Sequence, residues 1–261
     1  MKQVSDQTIE WDAASYEELA DPMTRWGAEF LERVELRGDE SVVDAGCGTG
    51  RVTELLLERL PGGTVIAVDA SEKMVGAAAE RFAGDERVRV ERQDLLELDT
   101  GEPVDVIFST ATFHWILDHD RLFDRLAGNL KPGGLLAAQC GGTGNVARVL
   151  EAAQEVMREQ RFREAFNGWT DSKHFANPDK TKDRLEKAGF ENVETWLHEE
   201  PTEFDSVEKL ARYLKTVILR QHVEVLAEGE RNDFVRTVAE RMSEEPVVDY
   251  VRLNMLARRA V

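Results

Sequence analysis

Apolar positions along the first 140 residues follow two patterns in turn. Short runs of apolar, often β-branched residues predict buried strands, and apolar residues spaced three or four apart predict amphipathic helices. The predicted strands are residues 41–45, 64–68, 88–91, 103–109 and 135–140. Because these strands alternate with helices at short intervals, the pattern predicts right-handed βαβ units and a parallel sheet.

The remaining segments are less regular. The predicted helices there are residues 8–35 in two pieces, 145–166, a helix capped by Asn177, 206–226 and 230–242, and the predicted strands are 193–204 and 247–257. The chain is therefore predicted to be one α/β domain with a seven-stranded, mostly parallel, doubly wound sheet. Its three consecutive parts are residues 1–35, the core at 36–142, and 143–261, which adds helices between the last two strands.

Three glycines stand in the turn between the first predicted strand and the next helix, namely Gly46, Gly48 and Gly50. Glycine lacks a Cβ atom, so a ligand can lie against its main chain, and the N–H groups of a helix start face such a ligand. Dinucleotide-binding turns place their third glycine five residues after the first. Here the interval is four and Arg51 follows, which disfavours NAD. A tight strand–helix turn without a ligand is the alternative.

Polar residues stand at or just after the carboxyl ends of the first four predicted strands. Asp44 lies near the end of the first strand, and Asp69 follows the second, 19 residues after Gly50. An acid at about that interval accepts hydrogen bonds from ribose hydroxyls. Asp94 follows the third strand, and Ser109 ends the fourth. Since ligands of parallel sheets bind outside the carboxyl ends of the strands, these residues predict one shared site.

Further candidate site residues lie later in the chain. His114 follows the fourth strand and is a candidate base or hydrogen-bond donor, the alternative being a histidine hydrogen-bonded at a helix start. Its neighbour Trp115 is a candidate for the catalytic site and for a wall of the substrate pocket. Trp169, Arg220 and His222 are candidate substrate-binding residues, and Arg220 is suited to holding an anion. The alternative for Arg220 is a side chain that only reaches water from an apolar helix.

Composition excludes several classes of function. The 261 residues include 51 acids and 33 bases, a net charge of −18, which disfavours a nucleic-acid backbone as partner. No segment has the apolar run of a signal peptide or a membrane span. Cys47 and Cys140 suit a reducing compartment, and neither has a neighbour that would form a zinc pair. We therefore expect a cytoplasmic protein, monomer or homodimer, without a metal, a nucleic-acid partner or a membrane.

Residues 11 to 140 resemble the class I S-adenosylmethionine (SAM)-dependent methyltransferases. The pattern D-x-G-x-G-x-G at 44–50 resembles their first motif, and L-K-P-G-G at 130–134 is a strong mark of the family. The resemblance implies a Rossmann-like fold and SAM as cofactor. It assigns Ala70, Met74 and Leu95 to the adenine ring and Asp94 to the adenine amino group, although Met74 also suits an ordinary core. It assigns Tyr16 to an N-terminal lid over SAM and the substrate.

A closer resemblance rests on F-S-T-A-T-F-H-W-I-L-D-H followed by L-K-P-G-G-L-L-A. These stretches are similar to trans-aconitate methyltransferases and insect juvenile hormone acid methyltransferases, which methylate carboxylates. The resemblance implies methyl transfer to a carboxylate or hydroxyl oxygen of a small molecule. The trans-aconitate enzymes tend to have glutamine where this chain has His114, so the acceptor stays open. The alternatives are C-methylation of a quinone, sterol or prenyl precursor, a SAM-binding protein without methyl transfer, and an NAD-type oxidoreductase.

Overall fold

A computed structural model describes residues 21–261, with side chains from Met23 onward. The strands are β1 (Ser41–Ala45), β2 (Thr64–Asp69), β3 (Val88–Arg92), β4 (Val104–Thr110), β5 (Leu130–Gly141), β6 (Phe190–Glu199), β7 (Thr202–Glu203), β8 (Val247–Val248) and β9 (Val251–Arg259). Seven of them form one sheet in the order β3-β2-β1-β4-β5-β9-β6. Strands β7 and β8 form a separate antiparallel pair.

Helices connect these strands. The α-helices are α1 (Asp21–Leu31), α2 (Arg51–Arg59), α3 (Glu72–Arg81), α4 (His119–Asn129), α5 (Ala147–Met157), α6 (Pro178–Lys187), α7 (Val207–Tyr213), α8 (Arg220–Glu224) and α9 (Glu228–Arg241). Two short 3₁₀ turns, Leu95–Glu97 and Phe113–Trp115, follow β3 and β4. One π-helical turn, Leu214–Ile218, joins α7 to α8.

The order of the strands reverses between β1 and β4. Strand β1 pairs in parallel with β2 on one side and with β4 on the other, and the parallel pairing continues to β3 and β5. Because the connections leave β1 and β4 in opposite directions, their carboxyl ends border a crevice in which such folds bind ligands. The predicted fold, a seven-stranded and mostly parallel doubly wound sheet, is confirmed.

Apolar faces of the helices cover the sheet as the spacing predicts. In α4 the side chains of Leu122, Phe123 and Leu126 are completely buried against a core that includes Ile107 and Leu136 of the central strands. Full burial of each such side chain contributes roughly 1.5–3 kcal/mol relative to leaving it exposed. This packing fixes the strand ends that carry the candidate site.

Polar side chains cap several of the helices, among them the predicted cap Asn177. The Ser71 hydroxyl accepts a hydrogen bond from the Met74 N–H, and Asp118 caps α4 through the Arg121 N–H. Asn177 caps α6, with Pro178 in its first turn. Each cap satisfies an N–H group that has no partner within its helix.

Several predicted boundaries were wrong. The helix predicted over 145–166 ends at Met157, and the helix over 206–226 is interrupted by the π turn. Strand β5 begins at Leu130 instead of residue 135, because Leu130 already pairs with Val104. The register then shifts, and the chain passes Gly133 in a left-handed conformation before regular pairing resumes. Apolar spacing alone does not reveal such irregular segments.

The chain divides into two compact units. One consists of Gly144–Lys173 and Glu199–Arg252, and the other of the described residues up to Thr143 with His174–His198 and Leu253–Val261. The predicted division at residues 35 and 142 stays a prediction. Tyr16 and the first predicted helical piece lie outside the described residues. Among residues 21–261, no helix is both long and apolar enough to cross a membrane.

Candidate active site

The turn between β1 and α2 depends on its three glycines. Gly46, Gly48 and Gly50 all have positive φ angles, of 85°, 56° and 88°. A residue with a Cβ atom pays roughly 1–2 kcal/mol in this left-handed region. The N–H groups of Gly46 and Cys47 both donate to the Val68 carbonyl, at 2.8 and 2.9 Å. The turn is therefore held against the end of β2.

The space beside each glycine differs. A Cβ atom on Gly46 would lie 2.1 Å from Thr112 Oγ1, and one on Gly50 would lie 2.5 Å from the Phe82 ring. A Cβ atom on Gly48 would have no atom within 4 Å. Gly46 and Gly50 are thus required by the protein's own packing. Gly48 borders open space, where a ligand fits directly against the main chain.

Asp69 connects this turn to the start of α3. Its Oδ2 accepts the Gly48 N–H at 3.0 Å, and its Oδ1 accepts the Ser71 N–H at 2.9 Å. A carboxylate oxygen has two acceptor positions, and the contact of Asp69 with ribose hydroxyls that the sequence assigns to it stays a prediction. The same side chain therefore joins the glycine turn to the start of α3.

Asp44 is buried below the turn. Its Oδ2 accepts a hydrogen bond of 2.6 Å from Thr53 Oγ1 in α2. Burial raises the pKa of the Asp44 carboxyl to about 7, the Thr53 hydrogen bond opposes this shift, and the negative charge of Asp69 adds to it. Burial also raises the pKa of the Cys47 thiol. Cys47 is therefore protonated and packed, as the sequence predicts.

The end of β3 lies beside the end of β2. The Gln93 N–H donates to the Asp69 carbonyl at 3.1 Å, and the exposed Asp94 follows directly. Asp94 Oδ1 accepts the Leu96 N–H, which leaves its other oxygen for a ligand. This brings Asp44, Asp69 and Asp94 to one edge of the sheet, as predicted.

The residues that the family resemblance assigns to adenine are largely enclosed. Leu95 and Met74 are 5% and 3% exposed, and Ala70 is half-buried. Leu95 belongs to the main core, so only the edge of its side chain is available to a ring. The adenine contacts of these three residues stay predictions.

Ser109 has a structural function that the sequence did not indicate. Its hydroxyl donates to the Ala45 carbonyl at 2.6 Å and is buried between β4 and β1. The predicted cofactor contact of Ser109 would therefore have to come from its main chain.

The loop after β4 lies on the glycine turn. Ala111 adopts a left-handed conformation with φ of 56°, and its N–H donates to the Gln139 carbonyl at 2.8 Å. Thr112 Oγ1 then lies 3.3 Å from the Gly46 carbonyl, to which it donates. Strained residues of this kind concentrate at functional sites. Sequence reasoning missed both residues, and no local pattern marks either of them.

His114 and Trp115 follow in the 3₁₀ turn. The His114 ring is 8% exposed, and its Nδ1 accepts the Gly141 N–H at 3.3 Å. The His114 carbonyl accepts the His174 N–H at 2.8 Å. The ring centroids of Trp115 and Phe175 lie 5.0 Å and 5.9 Å from the centroid of the His114 imidazole. The structure thus holds the predicted pair in a fixed aromatic setting at the end of β4.

The other predicted substrate residues lie in the compact unit that consists of Gly144–Lys173 and Glu199–Arg252. Trp169 contacts His222, with ring centroids 4.4 Å apart, and Arg220 Nε pairs with Glu224 at 3.0 Å. Burial, aided by the charge of Lys173, lowers the pKa of His222 to about 4, so its ring is neutral. The substrate-binding function of Trp169, Arg220 and His222 stays a prediction.

Lys173 is a buried cation that sequence reasoning missed. Its Nζ lies 2.8 Å from Asp171 Oδ2, and its side chain is 4% exposed. Burial lowers the pKa of Lys173, whereas Asp171 opposes the shift. The sequence D-S-K gives no sign of this burial. Over residues 21–261, no three His, Cys, Asp or Glu side chains are arranged to hold a metal ion.

Comparison with known proteins agrees with this architecture. Residues 43–136 match a family model described as a methyltransferase domain. A trans-aconitate 2-methyltransferase of Methylobacterium nodulans is 42% identical over 130 residues, 50% of this chain and 49% of that protein. That match spans about half the length of the relative. A second trans-aconitate 2-methyltransferase, from Sinorhizobium fredii, is 30% identical over 235 residues, 90% of both chains.

A solved structure supports the fold independently. Phosphoethanolamine N-methyltransferase 2 of Haemonchus contortus, in complex with phosphomonomethylethanolamine and S-adenosylhomocysteine, aligns with a TM-score of 0.63 at 20% identity. The alignment covers 95% of this chain and 57% of that one. The likeness to this structure concerns the fold alone. Since the identity to the Sinorhizobium protein extends over nearly the whole length, the chain belongs to the SAM-dependent methyltransferases, in the family of the trans-aconitate 2-methyltransferases.

Proposed function

We propose that the protein methylates a carboxylate oxygen of a small organic acid, giving a methyl ester. The observation that carries the proposal is the match to a trans-aconitate 2-methyltransferase over 90% of both chains. The proposed acceptor is therefore a small acid with more than one carboxylate, and trans-aconitate is the first compound to test.

The cofactor would be held at the edge of the sheet formed by β1, β2 and β3. The open space beside Gly48 would admit the part of the cofactor that lies against the main chain. Asp69 would accept hydrogen bonds from the ribose hydroxyls, and Asp94 would accept one from the adenine amino group. Asp44 would place a carboxyl group below the positive end of the cofactor. These assignments are supported by the shared edge on which the residues lie.

The chemistry requires little from protein side chains. When bound, SAM supplies a methyl group on positively charged sulfur; the acceptor oxygen forms the new C–O bond as the C–S bond breaks, and that electron pair stays on sulfur. A carboxylate, with an ordinary pKa of about 4, is already ionised and needs no base. The residues around the end of β4, above all His114 and Trp115, would orient the acid and exclude water. Positioning of this kind contributes on the order of 7–11 kcal/mol.

We also propose that the enzyme is a cytoplasmic monomer or homodimer without a nucleic-acid partner. The support is the net charge of −18, which repels a phosphate backbone, and the two buried cysteines.

A screen of acceptors tests the proposed reaction. With labelled SAM, we expect transfer to trans-aconitate or another di- or tricarboxylic acid, and a product whose label is released by mild base, as methyl esters are. Phenols, quinones and prenyl compounds serve as the comparison panel. Base-stable label on a phenol or on carbon would replace the ester proposal by ether formation or C-methylation.

Replacing Asp69 by asparagine should weaken SAM binding. The amide cannot accept hydrogen bonds at both of its ends, so one of the two backbone N–H groups and the ribose lose an acceptor. The expected loss is about 1–3 kcal/mol for hydrogen bonds of this kind. Titration calorimetry with SAM and with S-adenosylhomocysteine measures it.

The matched control is Asp179→Asn, a change of an exposed acid in the first turn of α6. It removes the same charge and should leave both affinities unchanged. Equal affinities for wild type and Asp69→Asn would remove Asp69 from the cofactor site.

A further inference from the structure

We propose that His119 is a positioning residue for methyl transfer, and that its imidazole holds the 3₁₀ turn Phe113–Trp115 at the end of β4. The inference rests on the proposed function, which places the acceptor acid beside His114 and Trp115 of this turn. His119 lies in the first turn of α4 and is 1% exposed. It therefore acts through the 3₁₀ turn and does not touch the acceptor.

One hydrogen bond connects the His119 ring to this turn. Its Nε2 lies 2.9 Å from the main-chain carbonyl oxygen of Phe113. Because a carbonyl oxygen only accepts, Nε2 carries the proton and donates. In a neutral imidazole the lone pair then belongs to Nδ1. The main chain of the turn therefore determines both the tautomer of His119 and the direction of the hydrogen bond.

The His119 ring also packs on a second residue that holds the turn. The ring centroids of His119 and His174 lie 4.5 Å apart, and their planes are inclined by 32°. The main-chain N–H of His174 donates to the His114 carbonyl at 2.8 Å. The Phe123 ring packs on His119 as well, with centroids 5.5 Å apart. Two successive carbonyls of the turn, those of Phe113 and His114, are thus bound by residues whose side chains contact each other.

Folding stability alone does not explain an imidazole at position 119. The Phe113 carbonyl also accepts the Ile116 N–H at 3.1 Å, so it would keep a partner without His119. Among the residues that the structure describes, Nδ1 of His119 is buried and has no hydrogen-bond partner. A buried polar atom without a partner costs free energy, and an apolar ring in the same place would avoid that cost. The hydrogen bond to the turn is therefore what histidine provides here and phenylalanine would not.

Both rings of the stacked pair are predominantly neutral at pH 7. Burial lowers the pKa of His119 to about 4, and the hydrogen bond to Phe113 opposes this shift. The charges of His174 and Arg184 lower the pKa of His119 further, whereas Asp120 raises it. Burial, aided by the charge of Arg184, also lowers the pKa of His174. The rings therefore stack without repelling each other, and His119 keeps the tautomer that binds the turn.

Two variants separate the hydrogen bond from the space that the ring fills. His119→Phe keeps an aromatic ring against His174 and loses the donor, whereas His119→Gln keeps an N–H donor and loses the ring. We expect His119→Phe to lower kcat/KM for trans-aconitate by about 3- to 10-fold, the loss expected for one hydrogen bond. His119→Gln should retain more activity than His119→Phe. The affinity of His119→Phe for SAM should be unchanged, and its unfolding temperature should not fall.

The matched control is Thr195→Val. On β6, Thr195 Oγ1 donates to the Pro178 carbonyl at 3.0 Å, so this change also removes a hydrogen bond from a side chain to the main chain. It should leave kcat/KM unchanged. Wild-type kcat/KM in His119→Phe would overturn the proposal. A fall in unfolding temperature or SAM affinity large enough to account for the lost activity would also overturn it, because His119 would then be a purely structural residue.

Amide hydrogen exchange tests the hold on the turn without any acceptor. The Ile116 N–H donates to the Phe113 carbonyl, and the His174 N–H donates to the His114 carbonyl. In His119→Phe we expect both amides to exchange faster than in wild type, while the amides of β1 exchange as slowly as before. Unchanged exchange of both amides would overturn the proposal. If the wild type methylates no acid while the two amides exchange faster in His119→Phe, the proposed function fails and the hold of His119 on the turn stands.

Discussion

Replacing Gly48 by alanine should abolish measurable binding of SAM while leaving the protein folded. The new Cβ atom would meet no protein atom within 4 Å, so the change costs only the strain of a positive φ, roughly 1–2 kcal/mol. The methyl group would instead occupy the space that the cofactor needs against the main chain. Calorimetric titration with SAM and a thermal unfolding curve, measured on the same sample, test both parts.

Two further glycines provide the controls. Gly46→Ala places its Cβ atom 2.1 Å from Thr112 Oγ1 and should lower the unfolding temperature much more than Gly48→Ala does. Gly76→Ala, inside α3 with open space around it, should stabilise the protein by up to about 1 kcal/mol and leave binding intact. Wild-type affinity for SAM in Gly48→Ala would show that the cofactor does not lie on this turn.

Replacing Asp44 by asparagine should stabilise the protein strongly at pH 8 and clearly less at pH 5. Burial raises the folded-state pKa of Asp44 to about 7 from an ordinary value of 3.8. The contribution of this group to stability is therefore complete below pH 4 and is lost as pH rises through 7, a difference on the order of 4 kcal/mol. Asparagine fills the same space, still accepts from Thr53 and does not ionise. Urea unfolding at pH 5 and pH 8 measures the change.

The same carboxyl should link SAM binding to pH. A cation beside Asp44 favours its ionised form, so SAM affinity should increase between pH 6 and pH 8, and S-adenosylhomocysteine, whose sulfur is neutral, should show a smaller increase. In Asp44→Asn the increase should be absent. Equal pH dependence in variant and wild type would assign the effect to another group.

Asp105 supplies a control of opposite sign. Although partial burial raises its pKa, hydrogen bonds from Lys131 and Ser41 lower the pKa of Asp105 to about 2. Its stabilising contribution is present above pH 4 and lost at lower pH. Asp105→Asn should therefore destabilise the protein at pH 8, where Asp44→Asn stabilises it.

The central fold was predictable because its signals are local. The run Ser41–Ala45 is short and mostly apolar, and the structure begins and ends β1 at those residues and buries them from Val42 to Ala45, as in a strand covered on both faces. Ser71 and Asn177 mark helix starts through single side chains. Positions at the carboxyl ends of parallel strands then meet by topology, which is why Asp44 and Asp69 were found together.

The rest of the site depends on contacts between distant segments. The Ser109 hydroxyl turned inward to Ala45, and Ala111 took a left-handed conformation that alanine rarely adopts. Lys173 is buried beside Asp171, and its Nζ also donates to the distant Ile218 carbonyl. None of these features follows from spacing or propensity, because each is decided by a neighbour far away in the chain.

The close approach of Thr112 to Gly46 restricts how this enzyme can be redesigned. A larger side chain at position 112 would push directly on the glycine turn, where we propose that the cofactor binds, so a change there is expected to lower cofactor affinity. Trp115, three residues later, is only partly buried. Libraries aimed at new acceptors should therefore vary position 115 and keep threonine at 112.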